Sequence, residues 1–487
     1  MTTYTSRGRA RMRRGLLAVT LVFCVLAATI GVGGYLFYRH LNANILVDHS
    51  ADSILGVSKA NAQGQRPMNI LVLGSQTRDG QTGPHLGDAS KLGTNISDTA
   101  MLVHLNADRR HAVVVSIPRD LVVPRPACRS AANSHVILPA SNDLLDDDMF
   151  DLAMTLGGPA CAVATVEQMS GLPIDHFIVL TFNGFEKMVD TVGGVTVCVP
   201  SPGINDWRSG LVMSAGLHVV TGYQSLAFVR DRHGIGDGGD RGRIQMQQMF
   251  VSSLIQKIES AGTLENPDTL LRLADAATSA LTVDPGLGSV GSLLGLASQL
   301  THIKSHGITF VTLPNTLDPS DTNRLIPSNP QYEAVWRLLR ADQPWTGRLP
   351  TAGSTRTVAG ASAVNIQVLN GSGVSGKAAA VSAELRGMGF NVTGIGTTTV
   401  RASTSVSGGI GAATVLSVLR RAQHTPTGGS VVTLIIGTDF AGVHPPSTAG
   451  ASPVLANTVL AAGVQTRSAA ENICANLPTP RTDASKP

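Results

Sequence analysis

Apolar and polar positions divide the 487-residue chain into stretches of different character. Residues 16–38 run for 23 positions without a charged side chain. As a helix rising about 1.5 Å per residue, that run crosses a bilayer core. Short apolar runs bounded by Gly and Pro then predict strands at 69–74, 100–105, 111–117, 177–180, 195–199 and 308–313. Between and after them, helical spacing predicts helices at 184–192, 223–229, 243–260, 267–280, 287–300 and 331–340, and one at 159–169 opened by Pro159. An irregular insertion occupies residues 121–148 and ends in three consecutive acids, Asp146, Asp147 and Asp148, read as a solvated loop. A second, smaller set begins with a strand at 364–369 and a helix at 377–388.

The fold expected from this order is α/β, with a mixed central sheet flanked by helices, a smaller second α/β domain and one N-terminal transmembrane helix. The expected layout is a basic tail (1–14), a transmembrane helix (15–38), a juxtamembrane stalk (39–67), a larger domain (68–345), a Thr-, Ala- and Gly-rich linker (346–362), a smaller domain (363–465) and a polar tail without expected structure apart from Cys474 (466–487).

Charge sharpens the membrane reading and removes another. The formal net charge is +4, but Arg7, Arg9, Arg11, Arg13 and Arg14 precede the apolar run with no acid among them. The rest of the chain therefore sums to about −1, and no nucleic-acid partner is expected. Arginines before the run, and only Arg39 and His40 close behind it, predict a cytoplasmic N-terminus and an extracytoplasmic bulk. A cleaved signal peptide ending near Ala27-Ala28 is the rival, against which the length of the run argues. Outside the run lie Cys128, Cys161, Cys198 and Cys474, in a compartment that permits disulfides. Of the three pairings, Cys128 with Cys161 is favoured because the two flank the inserted loop, with Cys198–Cys474 as the second pair.

Several chemistries find no support. There is no CxxC, Walker A loop or GxSxG elbow. Gly371-Ser-Gly373-Val-Ser-Gly376 fits the dinucleotide fingerprint, but after Glu384 no acid appears before Asp439, so a tight strand-to-helix turn is expected instead.

One stretch stands out: Leu226-Ala-Phe-Val-Arg230-Asp-Arg232-His233, a glycine-rich turn, and a helix carrying Arg243 and Gln247 on one face. Guanidinium forks match phosphate oxygens. A solvated turn, with Asp231, Asp237 and Asp240 as surface salt-bridge partners, is the plainer reading. Arg119, directly after the strand-ending Pro118, and Asp98, directly before a strand, add a cation and a carboxylate at strand ends, where α/β proteins gather ligand groups. Together they describe a metal-bridged, arginine-clamped pyrophosphate site for phosphoryl transfer.

The ordered motifs Asn69-Ile-Leu-Val-Leu-Gly-Ser75, Ser97-Asp98-Thr99, Val115-Ser-Ile-Pro-Arg119-Asp120 and Gly157-Gly158-Pro159 resemble the LytR-CpsA-Psr family. So do Pro173-Ile-Asp-His-Phe177, Val192-Gly-Gly-Val-Thr-Val197, the arginine stretch and Gly242-Arg-Ile-Gln-Met-Gln-Gln248. Residues 364–390, with Val368-Leu-Asn-Gly-Ser-Gly373, resemble the family's C-terminal domain. The resemblance implies a membrane-anchored phosphotransferase that moves a glycan from a polyprenyl-pyrophosphate carrier onto peptidoglycan with Mg²⁺ (or Mn²⁺). It implies Arg119, Arg230 and Arg232 as catalytic groups that also bind pyrophosphate with Arg243, Gln247 and Arg78, Asp98 as metal ligand, and apolar helices around the prenyl chain.

Gln76 stands where the family has an aspartate two residues before its loop arginine, which leaves Asp79 as the substitute ligand. Met149 falls where the family has a lysine. Composition points to an actinobacterium and hence to arabinogalactan. A non-catalytic protein binding lipid-linked glycan or the cell wall, and a polyprenyl-pyrophosphate pyrophosphatase, use the same residues.

Overall fold

The N-terminal apolar run is helical beyond its own ends. α1 spans Thr5–Asn44, and its part from Val19 to Asn44 is long and apolar enough to cross a membrane. This computed structural model describes residues 5–58, 60, 65–75, 97–141, 149–206, 209–232, 234–235, 238–260, 267–345, 362, 364–408, 412–416, 418–419, 422–426, 431–443 and 464–478. Asp146 to Asp148 lie outside them.

After α1 come β1 (Leu46–Val47), β2 (Met68–Ser75), β3 (Ser97–Leu105), β4 (Ala112–Ile117), β5 (Cys128–Arg129) and β6 (Ile137–Leu138). Next are α2 (Phe150–Ser170), β7 (His176–Thr181), α3 (Phe182–Thr191), β8 (Val195–Asp206), β9 (Leu211–Val220), α4 (Gly222–Arg230) and α5 (Asp240–Ser260). The larger unit continues with α6 (Pro267–Ala280), β10 (Leu281–Val283), α7 (Val290–Leu300), β11 (Ile308–Thr312), β12 (Asn315–Leu317), β13 (Leu325–Pro327) and α8 (Gln331–Arg340). The smaller unit holds β14 (Asn365–Asn370), α9 (Lys377–Gly387), β15 (Asn391–Thr397), β16 (Ser405–Gly408), α10 (Ala412–Leu416), β17 (Gln423–Pro426) and β18 (Val431–Ile436); β19 (Thr466–Ser468) follows.

The main sheet runs β1-β10-β7-β2-β3-β4-β11-β19. β3 is antiparallel to both β2 and β4, whereas β7 lies parallel to β2 and β11 parallel to β4. Four strands therefore end on one edge, and β3 begins there. β4 is buried at every position, so both faces of the sheet are covered. Val72, Met101, Val103, Val114 and Phe310 pack against Val251 and Ile255 of α5. Ile70, Leu105 and Val283 join Leu41 and Ile45 at the end of α1 and Val290 and Leu296 of α7 in a second cluster. α3 and α6 approach closely at Gly184, where an added Cβ would sit 2.2 Å from the Ala280 Cβ.

The second unit is a five-stranded sheet ordered β15-β14-β18-β16-β17, with α9 against β14 and β15. In its glycine turn, the Asn370 amide donates to Val374 O and its Oδ1 accepts from Ser372, while Gly373 and Gly376 take φ of 77° and 78°. That is the tight strand-to-helix turn the glycines predict.

Four expectations change. Residues 41–58, expected as stalk, belong to the larger unit: β1 pairs with β10, and Ser58 bonds to Asp175. The helix expected from Pro159 begins at Phe150 and is broken at Gly158, whose φ is 68°. The strand expected at 195–199 is one half of a long β8–β9 ribbon. β9 does not alternate apolar with polar because its outer positions Val212, Leu217 and Val219 are apolar yet exposed.

The tail expected to lack structure forms β19 on the sheet edge, antiparallel to β11. Gln256 of α5 donates to Ala469 O and Glu471 O, and Ile473 and Leu477 pack onto the ribbon's core. Cys474 is bonded to Cys198 of β8, and Cys128 to Cys161. The chain thus leaves the first unit near Gly347, builds the second over Arg348–Val459, and returns.

Because Cys198–Cys474 closes a loop of 276 positions, Cys474→Ser should lower the stability of the larger unit by about 2–4 kcal/mol. It should also open Arg467, now 6% exposed, to trypsin. Denaturant unfolding and mass mapping check this; an unchanged midpoint and an intact tail would count against it.

Candidate active site at the carboxyl edge of the sheet

Pro118 stops β4 and turns Arg119 and Asp120 onto the sheet's carboxyl edge. Asp240 is the first residue of α5 and is 4% exposed. Its Oδ2 accepts the Arg119 backbone N–H at 2.7 Å and its Oδ1 accepts from Nη2 of Arg243, one turn along the helix. Arg119 Nε donates to Asp120 Oδ1 at 3.0 Å. A carboxylate at a helix N-terminus is favoured by the helix dipole, and here it joins a strand end to a helix start.

Arg232 completes the cluster. Its guanidinium is held below the usual arginine range by burial first, and then by repulsion from Arg119 and Arg243, which outweighs the pull of Asp120 and Asp240. Its Nε is buried and has no hydrogen-bond partner among the described residues. Asp120 is pushed above the usual carboxylate range by burial and by Asp240, against the pull of the same three arginines. Among the described residues, three guanidiniums thus gather around the carboxylates of Asp120 and Asp240, an arrangement of donors that suits an anion.

Gln247 is 6% exposed and donates to Thr99 Oγ1 at 2.8 Å and to Val229 O at 3.0 Å, tying the start of β3 to the end of α4. Arg230 ends α4 with its guanidinium 4.7 Å from the centroid of the Phe182 ring. The structure therefore brings Arg119, Arg232 and Arg243 together, sets Gln247 as a brace, and puts Arg230 against Phe182. The backbone of Asp98 lies in β3 next to Thr99; its side chain, Gln76, Arg78 and Asp79 lie outside the described residues. No group of three or more His, Cys, Asp or Glu arranged to hold a metal occurs among the described residues.

Asp231 shows what the sequence hid. It is no surface salt-bridge partner: it is 0% exposed and faces another buried acid, Asp206, at the end of β8. Burial and the Asp206 carboxyl push its pKa up to about 8, so the two acids share a proton. Its Oδ1 accepts from Gly234 N and Ser209 Oγ, which fastens the arginine loop to the ribbon tip. The aspartate between two arginines was visible in the sequence, but its partner lies 25 positions upstream and carries no local signal. Asp237 lies outside the described residues.

A crowd of arginines at the carboxyl edge of a mixed sheet defines an α/β protein built to hold a polyanion. The chain belongs to the LytR_cpsA_psr family, which it matches over residues 39–341, and residues 363–440 match the LytR cell envelope-related transcriptional attenuator domain. Cell wall biosynthesis protein LcpA of Corynebacterium glutamicum is 26% identical over 401 residues, covering 78% of this chain and 72% of the relative. Polyisoprenyl-teichoic acid–peptidoglycan teichoic acid transferase TagV of Bacillus subtilis is 24% identical over 345 residues, covering 69% and 80%. The crystal structure of B. subtilis TagV superposes with a TM-score of 0.40 and 23% identity, covering 58% of this chain and 99% of that one.

The raised Asp231 pKa has a consequence for stability. An unfolded aspartate releases its proton near 3.8, the folded one near 8. Between these values the folded state holds the extra proton, so stability should fall as pH rises from about 4 to about 8. Asp231→Asn should flatten that slope in denaturant titrations across the window. A slope equal to that of the wild type would remove the shared proton.

Proposed function

We propose that this protein is a phosphotransferase that moves a glycan from a polyprenyl-pyrophosphate carrier onto peptidoglycan through a phosphodiester bond. The observation that carries the reading is the Arg119–Arg232–Arg243 cluster, in which Arg119 and Arg243 repel the buried Arg232, whose Nε has no hydrogen-bond partner among the described residues. A pyrophosphate diester brings two negative charges to such a site, and its non-bridging oxygens match guanidinium forks. An acceptor hydroxyl attacks the sugar-linked phosphorus, the bridging P–O bond breaks, and polyprenyl phosphate leaves with the electron pair. The fixed guanidiniums stabilise charge that builds on the bridging and non-bridging oxygens, with no covalent enzyme intermediate. Arg230, held by Phe182, adds a further cation to the mouth of this site. The printed name of the B. subtilis relative describes such a transfer with teichoic acid as the polymer. For this chain we assign arabinogalactan, in keeping with an actinobacterial source and the corynebacterial relative.

A divalent cation suits the same site. Both oxygens of Asp240 and Oδ1 of Asp120 are engaged by arginine groups, so the cation falls to Asp98, beside Thr99, with Asp79 as second carboxylate in place of Gln76. When bound, Mg²⁺ or Mn²⁺ neutralises pyrophosphate charge. Arg78 joins the anion clamp. α1 anchors the protein in the cell membrane with its N-terminus cytoplasmic and the remainder outside.

Arg232→Ala should reduce transfer about 100-fold or more while leaving the fold intact. The assay follows the glycan–phosphate–peptidoglycan adduct by mass spectrometry, with circular dichroism as the folding check. A folded variant with full activity would overturn the assignment. Phosphate release without adduct in the wild type would make water the acceptor and the protein a pyrophosphatase; bound, unchanged lipid would make it a carrier-binding protein.

A further inference from the structure

α6 runs alongside the end of α1 in the same direction. Asn44 Nδ2 donates to Asp275 Oδ1 at 3.0 Å and to Thr278 Oγ1 at 3.4 Å. One turn earlier on α1, His40 Nε2 lies 2.8 Å from Asp275 Oδ1. One turn earlier still, Phe37 shares a crevice of about 690 Å³ with Leu271. Moving toward the N-terminus along α6 is therefore moving toward the membrane end of α1.

Helix geometry fixes how far. The apolar run ends at Tyr38, and a hydrocarbon core of about 30 Å takes about 20 helical residues. Phe37 then lies at the outer limit of the core, and Asn44 about 10 Å further out, past the headgroups. Leu270 and Leu271, level with Phe37 or below it, are 38% and 51% exposed. In water these two leucines would stand exposed; at this height lipid is the apolar medium within reach of them. The rest of the crevice wall supplies Lys187, Arg272, His40 and Asp190, charges of both signs that suit the headgroup layer.

We propose that the first turn of α6, through Leu270 and Leu271, inserts into the outer boundary of the bilayer beside the anchor, so that the larger unit docks on the lipid surface and does not swing on a free tether. This rests on α1 being an embedded anchor, which the native thiol Cys24 tests separately: it is free, exposed and inside the apolar run.

The full-length protein is reconstituted into phosphatidylethanolamine–phosphatidylglycerol vesicles. An environment-sensitive fluorophore is placed on Cys24, or on Leu271→Cys or Leu270→Cys in a Cys24→Ser background. Labels at 270 and 271 should shift to the blue and lose intensity to lipids carrying a nitroxide near the headgroup, and resist aqueous iodide. The Cys24 label should be quenched by a nitroxide deep in the acyl chain. If labels at both positions 270 and 271 respond to iodide alone while Cys24 is quenched from within the lipid, the docking surface is overturned and the anchor stands. If Cys24 too is reached only by iodide, the anchor reading and the docking surface both fall.

Discussion

The candidate site hangs on one buried carboxylate. Asp240 accepts from the backbone of Arg119 with one oxygen and from the side chain of Arg243 with the other. It therefore holds the end of a central strand and the start of a long helix in one relation. Without its charge, the guanidiniums that converge there would keep Asp120 but lose Asp240, and leaving buried charge unpaired costs several kcal/mol. With it, Arg119 and Arg243 are held in place beside Arg232, and the cluster's donors are arranged before any ligand arrives.

The neighbouring acid works by the opposite logic. Asp231 has an extended backbone, so its side chain points away from those of Arg230 and Arg232 on either side. The acid instead meets the ribbon, where burial and Asp206 hold it protonated, so that it adds no negative charge beside Arg230 and Arg232.

The sequence disclosed most where local pattern and chemistry coincide. The bounds of α6 and α8 follow from their apolar spacing, and Arg119 is marked by the proline that ends its strand. Fold class, family and both disulfides agree with that reading. It failed where the deciding contact is distant or the pattern is masked. Asp206 and Asp231 meet only because the ribbon folds back. β9 escaped because its outer face is apolar, and β19 because three residues on a sheet edge need no hydrophobic run of their own. Residues 41–58, read as a juxtamembrane stalk, are built into the larger unit by the β1–β10 pairing and the Ser58–Asp175 contact. Gln76, Arg78 and Asp79 fall outside the described residues and keep the standing that sequence gives them.

The return of the chain to β11 and Cys198 makes the second unit an insertion rather than an appendage. A ribosome delivers residues in order, and domains generally fold as they become available. The smaller unit has all of its described strands before β19 exists, whereas the larger one waits for residues 466–474 to gain its edge strand and second covalent link. The domain that starts first is therefore finished after the one inserted in it.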